Sequence, residues 1–257
     1  MFKHCCFVMM ALLGLAACKS SKNHSSGADK DTGSASGVIA GAGKKLLVFS
    51  ATRGFRHESI PDGIAAIKAM GVRNHWEVVA TEDTSYFTDN RIAGFSAIVL
   101  LNNTGNVFDG KGEKALQDYV HAGGGIAGVH AATDCEYDWP WYNRMMGGWF
   151  DSHPAQQTAT LHKTPLAHAA TAMLPQDWSR KDEWYNFKNF NDQVKVLLLL
   201  DESSYQGGNM NGHHPAAWYQ DFEGGKVFYT ALGHTKESYS EPLFLQHLEA
   251  GISSVMK

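Results

Sequence analysis

The segment that most constrains this chain is Gly123-Gly124-Gly125-Ile126-Ala127-Gly128-Val129-His130-Ala131-Ala132-Thr133-Asp134. It reads as a buried strand running into a sharp turn and then a helix. Gly128 and Ala132 stand two positions either side of His130. That is the spacing of a nucleophile elbow, whose flanking residues are small because the turn brings the backbone close to itself. The tip residue is a histidine, where a hydrolase or amidotransferase places serine or cysteine. The scaffold is therefore a familiar one, and the chemistry must differ. An imidazole at such a tip meets the N-terminus of a helix, whose dipole disfavours the cation. A neutral imidazole there can serve as a general base or as a metal ligand, and the sequence leaves both roles open.

Around this segment strands and helices alternate. Lys45 to Phe49, Trp76 to Ala80, Ala97 to Leu101 and Gly125 to Val129 are short apolar runs, separated by helical patterns over Pro61 to Met70 and Lys111 to Ala122. Near-continuous apolar strands predict an α/β fold with an open, mainly parallel sheet covered by helices on both faces, flavodoxin-like in outline. Val194 to Leu200 reads as a further strand. Ala216 to Tyr219 and Lys226 to Thr230 read as a late hairpin across Glu223-Gly224-Gly225, and Phe244 to Ile252 as a closing helix. Ligands of such sheets bind outside the carboxyl ends of the strands. The loops Ser50 to Ser59, Asn102 to Asp109 and His130 to Asp138 fall there.

The N-terminus stands apart. Lys3 and His4 precede an apolar run, Cys5 to Leu15, that ends in Leu15-Ala16-Ala17-Cys18. This is a secretory signal too short to span a membrane, and its last four residues resemble a bacterial lipobox. Residues 1–17 are expected to be a signal peptide and Cys18 a lipidated residue; plain cleavage near Ala17 is the alternative. Lys19 and Ser20 carry no aspartate sorting signal, which places the expected lipid anchor in the outer membrane of the cell envelope. Residues 18–43 are too polar to bury a core and read as a tether, with one domain over 44–257. A net charge of -4 gives no reason to expect nucleic acid as a partner. Cys135 is then the one thiol besides Cys18. It lies five residues past the tip, where the turn would not present it, so glutaminase chemistry is not expected.

Several side chains can carry chemistry. His57 follows the first strand in Arg53-x-x-Arg56-His57, and arginines there can hold sugar oxygens. His153 follows the aromatic run Trp139, Trp141, Tyr142, Trp149 and Phe150, whose faces suit a pyranose ring or a core. Asp182 and Glu183 adjoin Trp184, a setting that raises a carboxyl pKa and suits a general acid; an N-cap or a salt bridge to Arg180 or Lys181 is the alternative. His214 precedes the late hairpin and His234 follows it. His130, His153 and His234, with Glu183 or Asp134, would suit a divalent metal, although their dispersed spacing matches no local metal motif.

Taken in order, Thr52-Arg53-Gly54-Phe55-Arg56-His57, the glycine-rich segment through His130 and Asp134, Trp139 to Gly148, Ser152-His153-Pro154, Asp182 to Phe187, His214-Pro215 with Trp218, and Gly233-His234-Thr235 resemble the ThuA family. The resemblance implies a fold like class I glutamine amidotransferases and a role in the use of trehalose and related disaccharides. It also implies association with sugar oxidoreductases that make 3-keto-glycosides, and it favours Glu183 over Asp182. Oxidation at C3 acidifies the hydrogen at C2, so a histidine base with an electrophile at the ketone would suit isomerisation, elimination or hydrolysis. His130 or His234 would be the base, Glu183 the acid, and Arg53 or Arg56 the oxygen-binding group, with His57, Asp134, Trp139, His153 and His214 as further substrate contacts. A non-catalytic sugar-binding lipoprotein, or a partner of a sugar oxidoreductase, would need the same pocket without the acid-base pair.

Overall fold

Runs of leucine, valine and isoleucine with no polar interruption cannot leave either face to water, and they take the centre of the sheet. In the computed structural model, which describes residues 43–88 and 91–257, the strands β1 (Lys45–Phe49), β2 (Glu77–Thr81), β3 (Ala97–Leu101) and β4 (Gly125–Val129) run parallel. The helices α1 (Ile60–Asn74) and α2 (Gly110–His121) are their crossovers. Every residue of β3 and β4 is buried. The signal segment, Cys18 and the tether up to residue 42 lie outside the described residues.

After α3 (Pro140–Met146), β5 (Trp149–Ser152) pairs with β8 (Asn186–Lys188) in a small separate ribbon. The strands β6 (Gln157–Lys163), β7 (Asp177–Asp182), β9 (Lys195–Leu200) and β10 (Pro215–Phe222) extend the main sheet antiparallel, and β11 (Gly225–Thr230) returns beside β4 in parallel. The nine strands run in the order β2-β1-β3-β4-β11-β10-β9-β6-β7. The expected α/β fold, with its mainly parallel core and late hairpin, is present. The hairpin turns at Glu223 and Gly224, both at positive φ (45° and 96°), as a two-residue turn between twisted strands requires.

The two sheet faces bury separate cores. On one, α1 and α4 (Pro242–Val255) cover Leu46, Val48, Val99 and Val129; on the other, α2 and α3 cover Leu47, Phe49, Ile98 and Ile126. β6 and β7 lack the apolar runs that reveal a strand in sequence. They bury alternate residues of polar segments, as half-covered antiparallel strands do.

His247 fixes α4 to the sheet. Its buried ring donates from Nδ1 to the Ala170 carbonyl at 2.8 Å, and Nε2 accepts from the Thr230 hydroxyl at 3.1 Å. Burial pushes its pKa down to about 4. A histidine neutral in the fold but titrating near 6.5 when unfolded stabilises the fold above pH 6.5, and this is lost as pH falls from 6.5 through 4. The loss is on the order of 3 kcal/mol. Melting temperature is therefore expected to drop across that window, and less steeply in His247→Gln; matching profiles would refute this assignment.

Candidate active site

Register brings the site together. Val129 of β4 lies beside Thr230 of β11, so the residues that follow both strands leave the sheet at the same edge. His130 takes φ 47°, a left-handed turn that throws its side chain off the strand axis. Gly233, at φ 110°, makes the corresponding turn before His234; no side chain would adopt that angle easily, and a Cβ there would press on the Tyr239 hydroxyl at 2.9 Å. His57 arrives from the loop after β1, which is pinned where the Arg53 amide donates to the Thr104 carbonyl at 2.7 Å. Glu183 follows directly on β7.

The elbow itself differs from expectation in one respect. A single 3-10 turn, His130–Thr133, follows the tip, and the next α-helix begins only at Pro140. No aligned helix dipole acts on His130. The need for glycine at position 128 also has another source: a Cβ there would collide with the Met146 side chain from α3 and crowd Tyr229.

Four side chains converge. His130 is fully buried and its Nδ1–H donates to the Ala231 carbonyl at 2.8 Å, because a carbonyl can only accept. In the neutral ring its Nε2 then turns a lone pair toward His234 Nδ1, 3.1 Å away, and Glu183 Oε2, 3.5 Å away. His234 Nδ1 is 2.9 Å from the same carboxylate oxygen. His57 is 3% exposed and completes the group, in which one donor atom from each of His57, His130, Glu183 and His234 lies within 4.8 Å of all the others. These residues can hold a divalent cation. Tyr185 closes the floor, its ring centroid 4.1 Å from that of His130.

Electrostatics follow from the crowding. Burial, helped by the neighbouring imidazoles His130 and His234, lowers the His57 pKa to about 2, so the ring is neutral. Burial also works against the Glu183 carboxylate, but the two imidazoles facing it outweigh that and hold its carboxyl well below the usual range. The loop carrying His234 hangs on Asp182, a fully buried carboxylate that accepts from the amides of Gly233 (3.0 Å) and His234 (3.2 Å). Arg180 pairs with Asp182 at 3.0 Å, the ion pair anticipated as the alternative role of this carboxylate.

The other sequence candidates divide. His153 stands at the rim, exposed, with Nδ1 3.3 Å from Glu183 Oε1. Asp134 is half-buried nearby and accepts from the Tyr137 hydroxyl at 2.6 Å; burial raises its pKa. Arg53 is exposed on the His57 loop. Arg56 forks onto Glu82 through two hydrogen bonds at the surface. Trp139 stacks on Trp141 inside the core, and His214 is buried between Glu202 and the Tyr185 carbonyl. Arg56, Trp139 and His214 do not join the cluster. Cys135 is buried under Gly105, where burial and then Glu136 push its thiol well above its ordinary value; it offers no nucleophile.

Two neighbours escaped the sequence reading. Tyr185 was visible only as one aromatic among many. Phe55 lies within a motif noted for its arginines, yet it is 65% exposed and meets His57 edge-on at 4.9 Å. It lines a cleft of about 430 Å³ with His234, Gln156 and Lys236.

Residues 45–254 match the family model ThuA, described as trehalose utilisation. No curated protein matches the chain. Among solved structures, a ThuA-like protein from Bacteroides uniformis is 23% identical with a TM-score of 0.68, over 80% of this chain and 89% of that one. Another from Parabacteroides merdae is 19% identical with a TM-score of 0.69, over 83% and 90%. A β-galactosidase from Bacillus circulans is 12% identical with a TM-score of 0.56, covering 82% of this chain but 31% of its own. At these identities the likeness is one of fold.

Proposed function

The chain belongs to the ThuA, or trehalose utilisation, family, and from that premise we propose that it is an enzyme of carbohydrate catabolism acting on trehalose-like disaccharides or their 3-keto derivatives. The observation that carries this reading is the convergence of three imidazoles and one carboxylate, nearly all buried, at the strand-end edge where this class of sheet takes its ligands. Purely structural histidines would be satisfied one by one, as His247 and His214 are.

A 3-keto sugar asks two things of a site: an electrophile at the ketone oxygen and an acceptor for the acidified proton beside it. The cluster faces the ketone in this reading, and His153 and Asp134 on its open side are within reach to carry protons. Exposed Phe55 offers the apolar face of the sugar a surface to lie against. Isomerisation, elimination and hydrolysis all begin from such a complex. The proposal extends to a lipid anchor at Cys18 in the outer membrane and to a sugar oxidoreductase that supplies the keto substrate.

Incubation with trehalose and with 3-keto-trehalose, followed by NMR, tests the assignment. Conversion of the keto sugar is the expected result. Binding without conversion would replace the enzyme by a sugar-binding lipoprotein, and two unchanged spectra with no binding would remove the substrate class.

A further inference from the structure

We infer that His57, His130, Glu183 and His234 form a binding site for one divalent first-row cation of the zinc class. Hydrogen bonding alone does not account for the cluster. His130 Nε2, His234 Nδ1 and Glu183 Oε2 form a closed triangle with edges of 3.1, 2.9 and 3.5 Å. His130 donates its Nδ1–H to Ala231, so in the neutral ring its Nε2 is bare. The proton on His234 Nδ1 can satisfy one edge at full strength. The edge between His130 and Glu183 is then lone pair against lone pair, in a place without bulk water. His57 adds a buried Nδ1 with no hydrogen-bond partner among the described residues. Each is a cost that a neutral interior avoids.

A cation at the centre removes the conflict. Metal–ligand distances of about 2.0–2.2 Å in a tetrahedron place neighbouring donor atoms about 3.4 Å apart, close to the triangle found here. Three imidazoles sharing one tetrahedral ion should also hold their ring centres on the order of 5 Å apart. Those of His57, His130 and His234 are separated by 4.9, 4.9 and 5.0 Å, at interplanar angles of 82–89°. The His130 ring is oriented from behind by a backbone carbonyl, the support that metal-bound histidines characteristically have. Three nitrogens and one carboxylate oxygen match zinc, cobalt, nickel or iron better than calcium or magnesium, which favour oxygen. The pairing is dispersed over four loops, so no local motif announces it.

The test reads metal binding and not turnover, so it stands apart from the substrate assignment. Protein purified without chelator should contain close to one equivalent of first-row metal by elemental analysis. After stripping, titration with cobalt(II) should raise the visible absorption bands of a four-coordinate ion, saturating at one equivalent, and should raise the melting temperature. His57→Gln, Glu183→Gln and His234→Gln should each weaken cobalt binding by more than about 100-fold, the upper end of what losing even an outer partner costs. His162→Ala, which alters an exposed histidine beside Asp177, should change nothing. A stripped, folded wild-type protein that shows neither the bands nor the rise in melting temperature would overturn the site. So would cobalt binding that survives intact in His130→Gln/His234→Gln.

Discussion

Replacing His130 with alanine should lower kcat/KM on the true substrate by about 100- to 1,000-fold, the cost of losing one group of a cluster aimed at the ketone oxygen, while the fold persists. The residue is buried between the Ala231 carbonyl and the Tyr185 ring. Its removal leaves that carbonyl unpaired, at a cost of about 1–3 kcal/mol. Alanine must still occupy φ 47°, a conformation that costs a non-glycine residue about 1–2 kcal/mol. His130→Gly would relieve that strain. The glycine variant should therefore melt above the alanine variant while being equally inactive, which separates backbone strain from chemistry. Full activity in either variant would remove His130 from the reaction.

Asp182→Ala should produce the largest loss of stability, about 3–5 kcal/mol, because it leaves the Arg180 guanidinium in the interior without its carboxylate. For a protein of this size that corresponds to roughly 6–20 °C in melting temperature. Glu241, 2.9 Å from the Arg180 Nε, and Ser238, 2.8 Å from its NH2 group, compensate only in part. The same substitution frees the amides of Gly233 and His234, so turnover should fall in the protein that remains folded. Asp182→Asn keeps an oxygen for those amides and should cost less. An Asp182→Ala protein melting within about 2 °C of the wild type, less than 1 kcal/mol, would show that the pair carries little stability.

The parallel half of the sheet was legible because its chemistry is local. Five apolar residues in a row, as in Ala97 to Leu101, have one stable place in a soluble α/β protein, and the structure puts that strand at the same residues. The tip of the elbow was legible for the same reason: Gly128 and Ala132 around His130 announced a crowded turn. What the spacing did not reveal is what does the crowding, since Met146 reaches Gly128 from a helix that starts ten residues beyond the tip. The antiparallel extension was harder to read. Gln157 to Lys163 and Asp177 to Asp182 are polar segments whose strand character comes from a partner across the sheet, not from their own composition. That is why the choice of Glu183 over Asp182 rested on the family pattern. His57, His130 and His234 could be placed at strand ends one at a time, but their mutual distances depend on the β1–β3–β4–β11 order, which no local signal encodes. Arg56 shows the converse limit of local reading. A basic cluster near a strand end suggested substrate oxygens, and an acidic neighbour from the next loop, Glu82, took it instead.

The strand order has a consequence for how the site comes into being. Three of its residues hang from the parallel half, and the fourth follows β7, the last strand at the opposite edge of the nine. Between His57 and His234 lies most of the folded sequence, so the loop-closure entropy of nearly the whole chain must be overcome before the four side chains meet. Neither half of this sheet holds all four of the side chains. The site therefore depends on β7 keeping its place at the edge of the sheet, and a change that loosened that edge would disturb the centre while leaving the parallel strands paired.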